Sequence, residues 1–145
     1  MPRKPTIALV GAGRVAQTLG PALRQAGYRL LEVVGRDGAA SRARARRLAR
    51  QVGARATTVA EARLHADLIW LAVSDDAVAA CARELARRTR WEGKVALHSS
   101  GALPGDQLAP GHHERHRHHV PGIRSECAAA VQATDGEIFA EGADP

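Results

Sequence analysis

The sequence predicts an α/β domain with a doubly wound, mostly parallel sheet, followed by an irregular or disordered C-terminal tail. Three observations carry this. Short apolar runs alternate with amphipathic stretches of helical length as far as Pro110, a glycine turn stands directly between the first such run and the first such stretch, and beyond Pro110 the alternation stops. Strands separated by helices pair in parallel, because each helix carries the chain back to the edge from which the strand set out.

The elements follow in order. Thr6 to Val10 is a continuous apolar run of strand length, as expected of a parallel strand buried on both faces. From Arg14 to Ala26, Val15, Leu19, Ala22 and Leu23 recur at helical spacing, and Gly27 supplies the left-handed residue that ends a helix. Pro21 removes one backbone donor inside that helix, so a bend is expected there. Leu30 to Val34 reads as the second strand, and Ala39 to Val52 as an Ala/Arg-rich helix with Leu48 and several alanines for the sheet. Ala54 to Thr57 reads as a brief third strand. Thr58-Val59-Ala60-Glu61 has the S/T-x-x-E form of a capping box and predicts a short helix. Asp67 to Val73 is the fourth strand. Ser74, Asp75 or Asp76 caps a helix with Val78, Cys81, Ala82 and Leu85 on one face, and Val95 to His98 is the fifth strand.

At 145 residues the chain accommodates one well-buried domain, placed at residues 1–110, and a His-rich, poorly structured tail at 111–145. Its apolar runs stop well short of the roughly 20 residues that cross a bilayer, so no membrane span is expected. Met1-Pro2-Arg3-Lys4-Pro5 is basic, but only Ile7 to Val10 follows as an apolar core. That is too little for a signal peptide, so a cytoplasmic location is expected. Cys81 and Cys127 show neither disulfide nor zinc spacing, and Cys81 reads as core filler. The formal charge is +6, yet four aromatic residues offer little for base stacking. Only Lys4 and Lys94 are lysines, and an arginine- and alanine-rich composition also fits GC-rich coding, so nucleic-acid binding is not favoured.

The strongest chemical signal is Gly11-Ala12-Gly13-Arg14-Val15-Ala16. In a G-x-G-x-x-G/A turn the first glycine makes the tight turn, the second admits a pyrophosphate, and the small last residue lets the helix pack closely. The backbone from Gly11 through Val15 and the helix dipole then hold phosphates. At the end of the second strand Gly35-Arg36-Asp37 places an arginine where dinucleotide sites read the adenosine ribose, which favours NADP, with Ser41 or Arg42 as helpers. Asp37 counts against this, since one residue of register would put an acid there. Ser74 after the fourth strand and Ser99 after the fifth stand at the same sheet edge as cofactor contacts, while Asp75 and Asp76 read equally well as helix caps. His98 and Ser100 are the catalytic candidates, although a lone histidine closing a strand is commonly a packed residue. Five of the seven histidines fall between His112 and His119, but no cysteine or spaced acid completes a site and no metal is expected.

Ile7 through Leu108 resembles an uncharacterised bacterial family of Rossmann-like oxidoreductases related to pyrroline-5-carboxylate reductases and to 3-hydroxyisobutyrate and 6-phosphogluconate dehydrogenases. The likeness rests on GAGRVAQTLGPAL, VVGRD, ADLIWLAVSDDAV and HSSGAL in their expected order. It implies NADP bound at Gly11, Gly13 and Arg36, with Ser74 and Ser99-Ser100-Gly101 beside the nicotinamide. In look-alikes a strand with a His-Pro pair follows, and then a helical domain that completes the active site and a dimer. Here His-rich residues take that place, which leaves a homodimer and catalysis by this chain alone open. A shift of reading frame near codon 110 or a genuinely shortened protein accounts for the change. The resulting expectation is the NADP-binding domain of an oxidoreductase that moves hydride to or from a small molecule of unknown identity. The alternative is a non-catalytic nucleotide sensor.

Overall fold

The computed structural model describes residues 3–99 and three two-residue strands at 124–125, 133–134 and 137–138. Strands β1 (Thr6–Val10), β2 (Arg29–Gly35), β3 (Arg55–Thr58), β4 (Leu68–Leu71), β5 (Val95–His98) and β6 (Arg124–Ser125) form one sheet in the order β3-β2-β1-β4-β5-β6. Every pairing in it is parallel. Helices α1 (Arg14–Gln25), α2 (Ala39–Val52) and α3 (Asp75–Ala86) make the connections, and β7 (Ala133–Thr134) pairs antiparallel with β8 (Glu137–Ile138). Apart from β6 to β8, the expected tail and its boundary at Pro110 lie outside the described residues.

The apolar strands are continuous rather than alternating because each face of the sheet has its own core. In β1, Ile7 and Leu9 join Ala16, Leu19, Leu23, Ala45, Leu48 and Val52 from α1 and α2. Ala8 and Val10 face the other way and join Val78, Ala82 and Leu85 from α3. The same period of two sends Trp70 of β4 to the first core and Ile69 and Leu71 to the second. Each fully buried Leu, Ile or Val among them contributes roughly 1.5–3 kcal/mol. Gly20 lets α1 and α2 close on each other, since a β-carbon there would stand 3.1 Å from a methyl of Leu48.

Helix α1 runs through Pro21 as one helix and ends as expected at Gly27, which has φ +85°. The amide of Tyr28 donates to Leu23 O (3.0 Å) there. The short helix expected from Thr58 is not formed. Residues 59–61 make a turn in which the Glu61 amide donates to Thr58 O at 3.1 Å. The physical reason lies in β2. Glu32 is buried, and its carboxylate accepts the amides of Arg63 (3.1 Å) and Leu64 (3.0 Å) and the guanidinium of Arg55 (3.1 Å). Pinning those amides to a buried anion holds the segment across the strand ends, and Leu64 adopts φ +51° with its side chain fully buried. Among the described residues no helix is long and apolar enough to cross a membrane.

Asp67 fastens the entry of β4 to that of β1. One of its carboxylate oxygens accepts the Thr6 amide and the Thr6 hydroxyl, both at 2.8 Å, and the Arg3 guanidinium at 3.3 Å. These bonds, the Thr6 amide first, hold its pKa below the ordinary 3.8 against the opposing effect of burial. A depressed carboxylate stabilises the fold above its unfolded pKa, and that contribution fades as pH falls through the folded value. Asp67→Asn is therefore expected to be less stable than the parent at neutral pH, with the gap closing only below the ordinary carboxylate range. Urea midpoints of both proteins at pH 7 and at about pH 2 check this. A gap independent of pH would assign the loss to something other than the charge.

Candidate functional site

The chain starts in the middle of the sheet, moves outward through β2 and β3, then crosses to β4 on the other side of β1. Loops at the carboxyl ends of β1 and β4 consequently diverge, and an open α/β sheet has its ligand crevice at such a point. A cleft of about 1060 Å³ lies there. It is lined by the glycine turn Gly11-Ala12-Gly13 with Arg14 and Val15, by Arg36 after β2, by Ser74 after β4 and by Ser99 after β5. These predicted contacts are thus brought together at one site.

The two glycines of the turn do different things. Gly11 has φ +111°, and its amide donates to Val34 O at 2.7 Å. A β-carbon on Gly11 would come within 2.3 Å of the Ala72 carbonyl oxygen, so the main chains of β1 and β4 meet too closely there for any side chain. Gly13 has φ −82°, open to any residue, and nothing lies within 4 Å of where its β-carbon would be. The fold does not need that glycine. What it keeps clear is space above the first turn of α1, which has no side-chain cap and no acidic residue. Its amides have no acceptor within the helix, and with the helix dipole they form a seat for an anion. Gln17 braces the turn by donating to Ala12 O at 3.2 Å.

At the end of β2, Gly35 lets α2 press against the strand, since a β-carbon would stand 2.9 Å from that of Ala45. Arg36 follows at the exposed rim, and its amide donates to the Ser41 hydroxyl at 3.0 Å. Of the two expected helpers, Ser41 lines the cleft and Arg42 does not. Arg42 instead donates to the Asp37 carboxylate at 3.0 Å, which engages the acid next to Arg36. Beside Arg14 and Arg36 a third cation lines the cleft, Arg44, which the sequence reading missed. The i,i+3 spacing from Ser41 was the signal that could have found it.

Helix α3 forms the opposite wall through Asp75, Ala77, Ala80, Cys81 and Glu84, with Ser74 as its N-cap. Cys81 packs against the core as expected and also faces the cleft. Burial pushes its thiol up to about 11 although the Arg36 charge acts the other way, so it is neutral at physiological pH. Ser99 is held by its amide, which donates to Leu71 O at 3.1 Å, and by its hydroxyl, which accepts the indole N–H of Trp70 at 2.7 Å. His98 is buried in β5 and is not among the described residues that line the cleft, while Ser100 lies outside the described residues. Among the described residues no group of acids, histidines and cysteines could hold a metal ion, and the histidine cluster lies outside them.

A family model described as the Rossmann-like domain matches residues 2–115. The chain belongs to that family. Among solved structures, the Rossmann-like chain is similar to a Bacteroides fragilis protein provisionally named an NADP oxidoreductase. The two are 33% identical with a TM-score of 0.61, over 70% of this chain and 38% of that one. Shikimate 5-dehydrogenase of Mycobacterium fortuitum is 26% identical with a TM-score of 0.51, over 72% of this chain and 39% of that one. Prephenate dehydrogenase of A. aeolicus, solved with NAD+ and hydroxyphenyl propionate, shares the fold at 14% identity and a TM-score of 0.59, over 74% of this chain and 38% of that one. The chain thus spans well under half the length of these neighbours, and it is similar over that span to NAD(P)-dependent oxidoreductases. No curated protein matches it.

The contrast between the glycines gives an expected outcome. Gly11→Ala introduces both a positive-φ penalty and a clash with the Ala72 main chain, and it should lower the melting temperature by many degrees or prevent folding. Gly13→Ala should leave the melting temperature within a few degrees of the parent. Thermal denaturation of the two variants side by side decides, and comparable losses would contradict the division of roles.

Proposed function

We propose that this Rossmann-like domain binds NADP and is the cofactor half of an oxidoreductase that moves hydride to or from a small-molecule substrate. The observation that carries the reading is the pairing of an open glycine turn at Gly13 with an exposed arginine on the same cleft at the end of β2. Gly11, Ala12, Gly13, Arg14 and Val15 would seat the pyrophosphate at the start of α1. Arg36 would face the phosphate on the adenosine ribose, with Arg44 and Ser41 beside it. Engagement of Asp37 by Arg42 favours the phosphorylated cofactor, because a free acid in its place would repel that phosphate. The provisional name of the Bacteroides fragilis neighbour agrees with this choice.

Ser74 and Ser99 would lie toward the nicotinamide, where the bound cofactor supplies or accepts the hydride. His98 and Ser100 remain the proton-handling candidates. Kinship with pyrroline-5-carboxylate reductases and 3-hydroxyisobutyrate dehydrogenases, suggested by the order of the four sequence segments, is part of the same proposal. A sensor that binds the nucleotide without chemistry is the second reading.

Arg36 decides cofactor choice. A charge-assisted hydrogen bond is worth about 1.5–3 kcal/mol, so Arg36→Ala should weaken NADPH about tenfold to a hundredfold and leave NADH nearly unchanged. Gly13→Val should remove binding of both while the domain stays folded, because its side chain fills the space above α1. Calorimetric titrations with NADPH and NADH at one salt concentration measure these effects. Equal losses for the two cofactors in Arg36→Ala would remove the case for NADP.

A further inference from the structure

Trp70 stands on β4 beside the centre of the sheet, 5% exposed, with its ring in the core beneath α1 and α2. A buried indole N–H needs an acceptor. That of Trp91 has none among the described residues, whereas that of Trp70 reaches the Ser99 hydroxyl at 2.7 Å. Ser99 is fixed twice over, by this bond and by its own amide on Leu71, yet it remains exposed on the cleft. A serine hydroxyl has one proton to give and two lone pairs with which to accept. The indole takes a lone pair, and among the described residues the proton is given to no one. Accepting an N–H also polarises the O–H and makes it a better donor. The pair therefore presents a hydroxyl to the cleft as a donor.

The topology says what that donor meets. Arg36 follows β2 and Ser99 follows β5, three strand spacings apart, which is roughly 14 Å at about 4.8 Å per strand. The glycine turn after β1 stands between them. A dinucleotide with its adenosine phosphate at Arg36 and its pyrophosphate over Gly13 carries its nicotinamide toward the ends of β4 and β5. On the nicotinamide itself the acceptor is the carboxamide oxygen. We propose that Ser99 donates its hydroxyl proton to the nicotinamide carboxamide oxygen and that Trp70 is the positioning residue that fixes the hydroxyl for this task. The proposal deepens the cofactor assignment and rests on it.

The test uses the full chain and two ligands, NADPH and adenosine 2′,5′-bisphosphate, which carries the adenosine phosphates without the nicotinamide. Ser99→Ala and Trp70→Phe should weaken NADPH about two- to tenfold, the worth of one neutral hydrogen bond, and leave the bisphosphate unchanged. Ser99→Thr, which keeps the hydroxyl, should retain NADPH affinity. In a proton–nitrogen NMR spectrum the Trp70 indole resonance should move on addition of NADPH and stay in place with the bisphosphate. If Trp70→Phe does not fold, the two Ser99 variants and the indole resonance decide the matter. Unchanged NADPH affinity in Ser99→Ala overturns the proposal, and so does an equal loss for both ligands. If the parent chain binds neither ligand, the cofactor reading itself fails and takes this proposal with it. Binding of both ligands by the parent with no selective loss in Ser99→Ala overturns the proposal alone.

Discussion

The fold turns on one close contact, the approach of the Gly11 main chain to that of Ala72 where the strand order reverses between β1 and β4. Gly11 donates to Val34 O, and the Ala72 amide donates to Val10 O, both at 2.7 Å, so the ends of β2, β1 and β4 are tied together at the point where their loops part. Had the chain a side chain at Gly11, β4 could not lie beside β1 in this register, and the cleft would lose its floor. The glycine turn is thus first a packing requirement and only then a ligand seat. Gly13, whose surroundings are empty, meets no such packing requirement.

The strands and helices were legible because both faces of a parallel sheet are covered. Continuous apolar runs such as Ile7–Val10 are a strong signal, and the alanines and Leu48 of α2 mark a helix even with so many arginines on its outer side. The segment after β3 was misread for a reason invisible to local pattern. Thr58 and Glu61 have capping-box spacing, but the amides of Arg63 and Leu64 bond a carboxylate from a strand some thirty residues earlier. The latch between Asp67 and Thr6 escaped notice for the same reason, since its partners are |i−j| = 61 apart in sequence. Local propensity yields where a buried charge must be satisfied.

Site residues were legible to the extent that they follow strand ends. The glycine turn, Arg36, Ser74 and Ser99 each occupy the first few positions after a strand of one sheet, so topology alone gathers them at one edge. What sequence could not assign was the partnership among the arginines. Arg42 and Arg44 differ by two positions, about 200° around a helix, and so face opposite ways. One engages Asp37 and the other lines the cleft. In a stretch this rich in arginine, composition says nothing about which charge is available.

That distinction sets what Arg36 can contribute. Its side chain is exposed and hydrated, while the wall facing it on α3 includes a neutral thiol at Cys81 and small alanines. The acids on the cleft are Asp37, which Arg42 engages, and Asp75 and Glu84 on α3, so a phosphate at Arg36 competes with water and with these two α3 carboxylates. Exchange of water for a phosphate gives a modest gain, and at an exposed rim salt screens part of it over a Debye length of about 8 Å at physiological ionic strength. The turn at Gly13 and the start of α1 offer backbone amides rather than a side-chain charge, and on the proposed reading they would serve either nicotinamide cofactor alike. The helix start would then hold either cofactor and the rim arginine only the phosphorylated one, so rising salt should erode selectivity for NADPH over NADH.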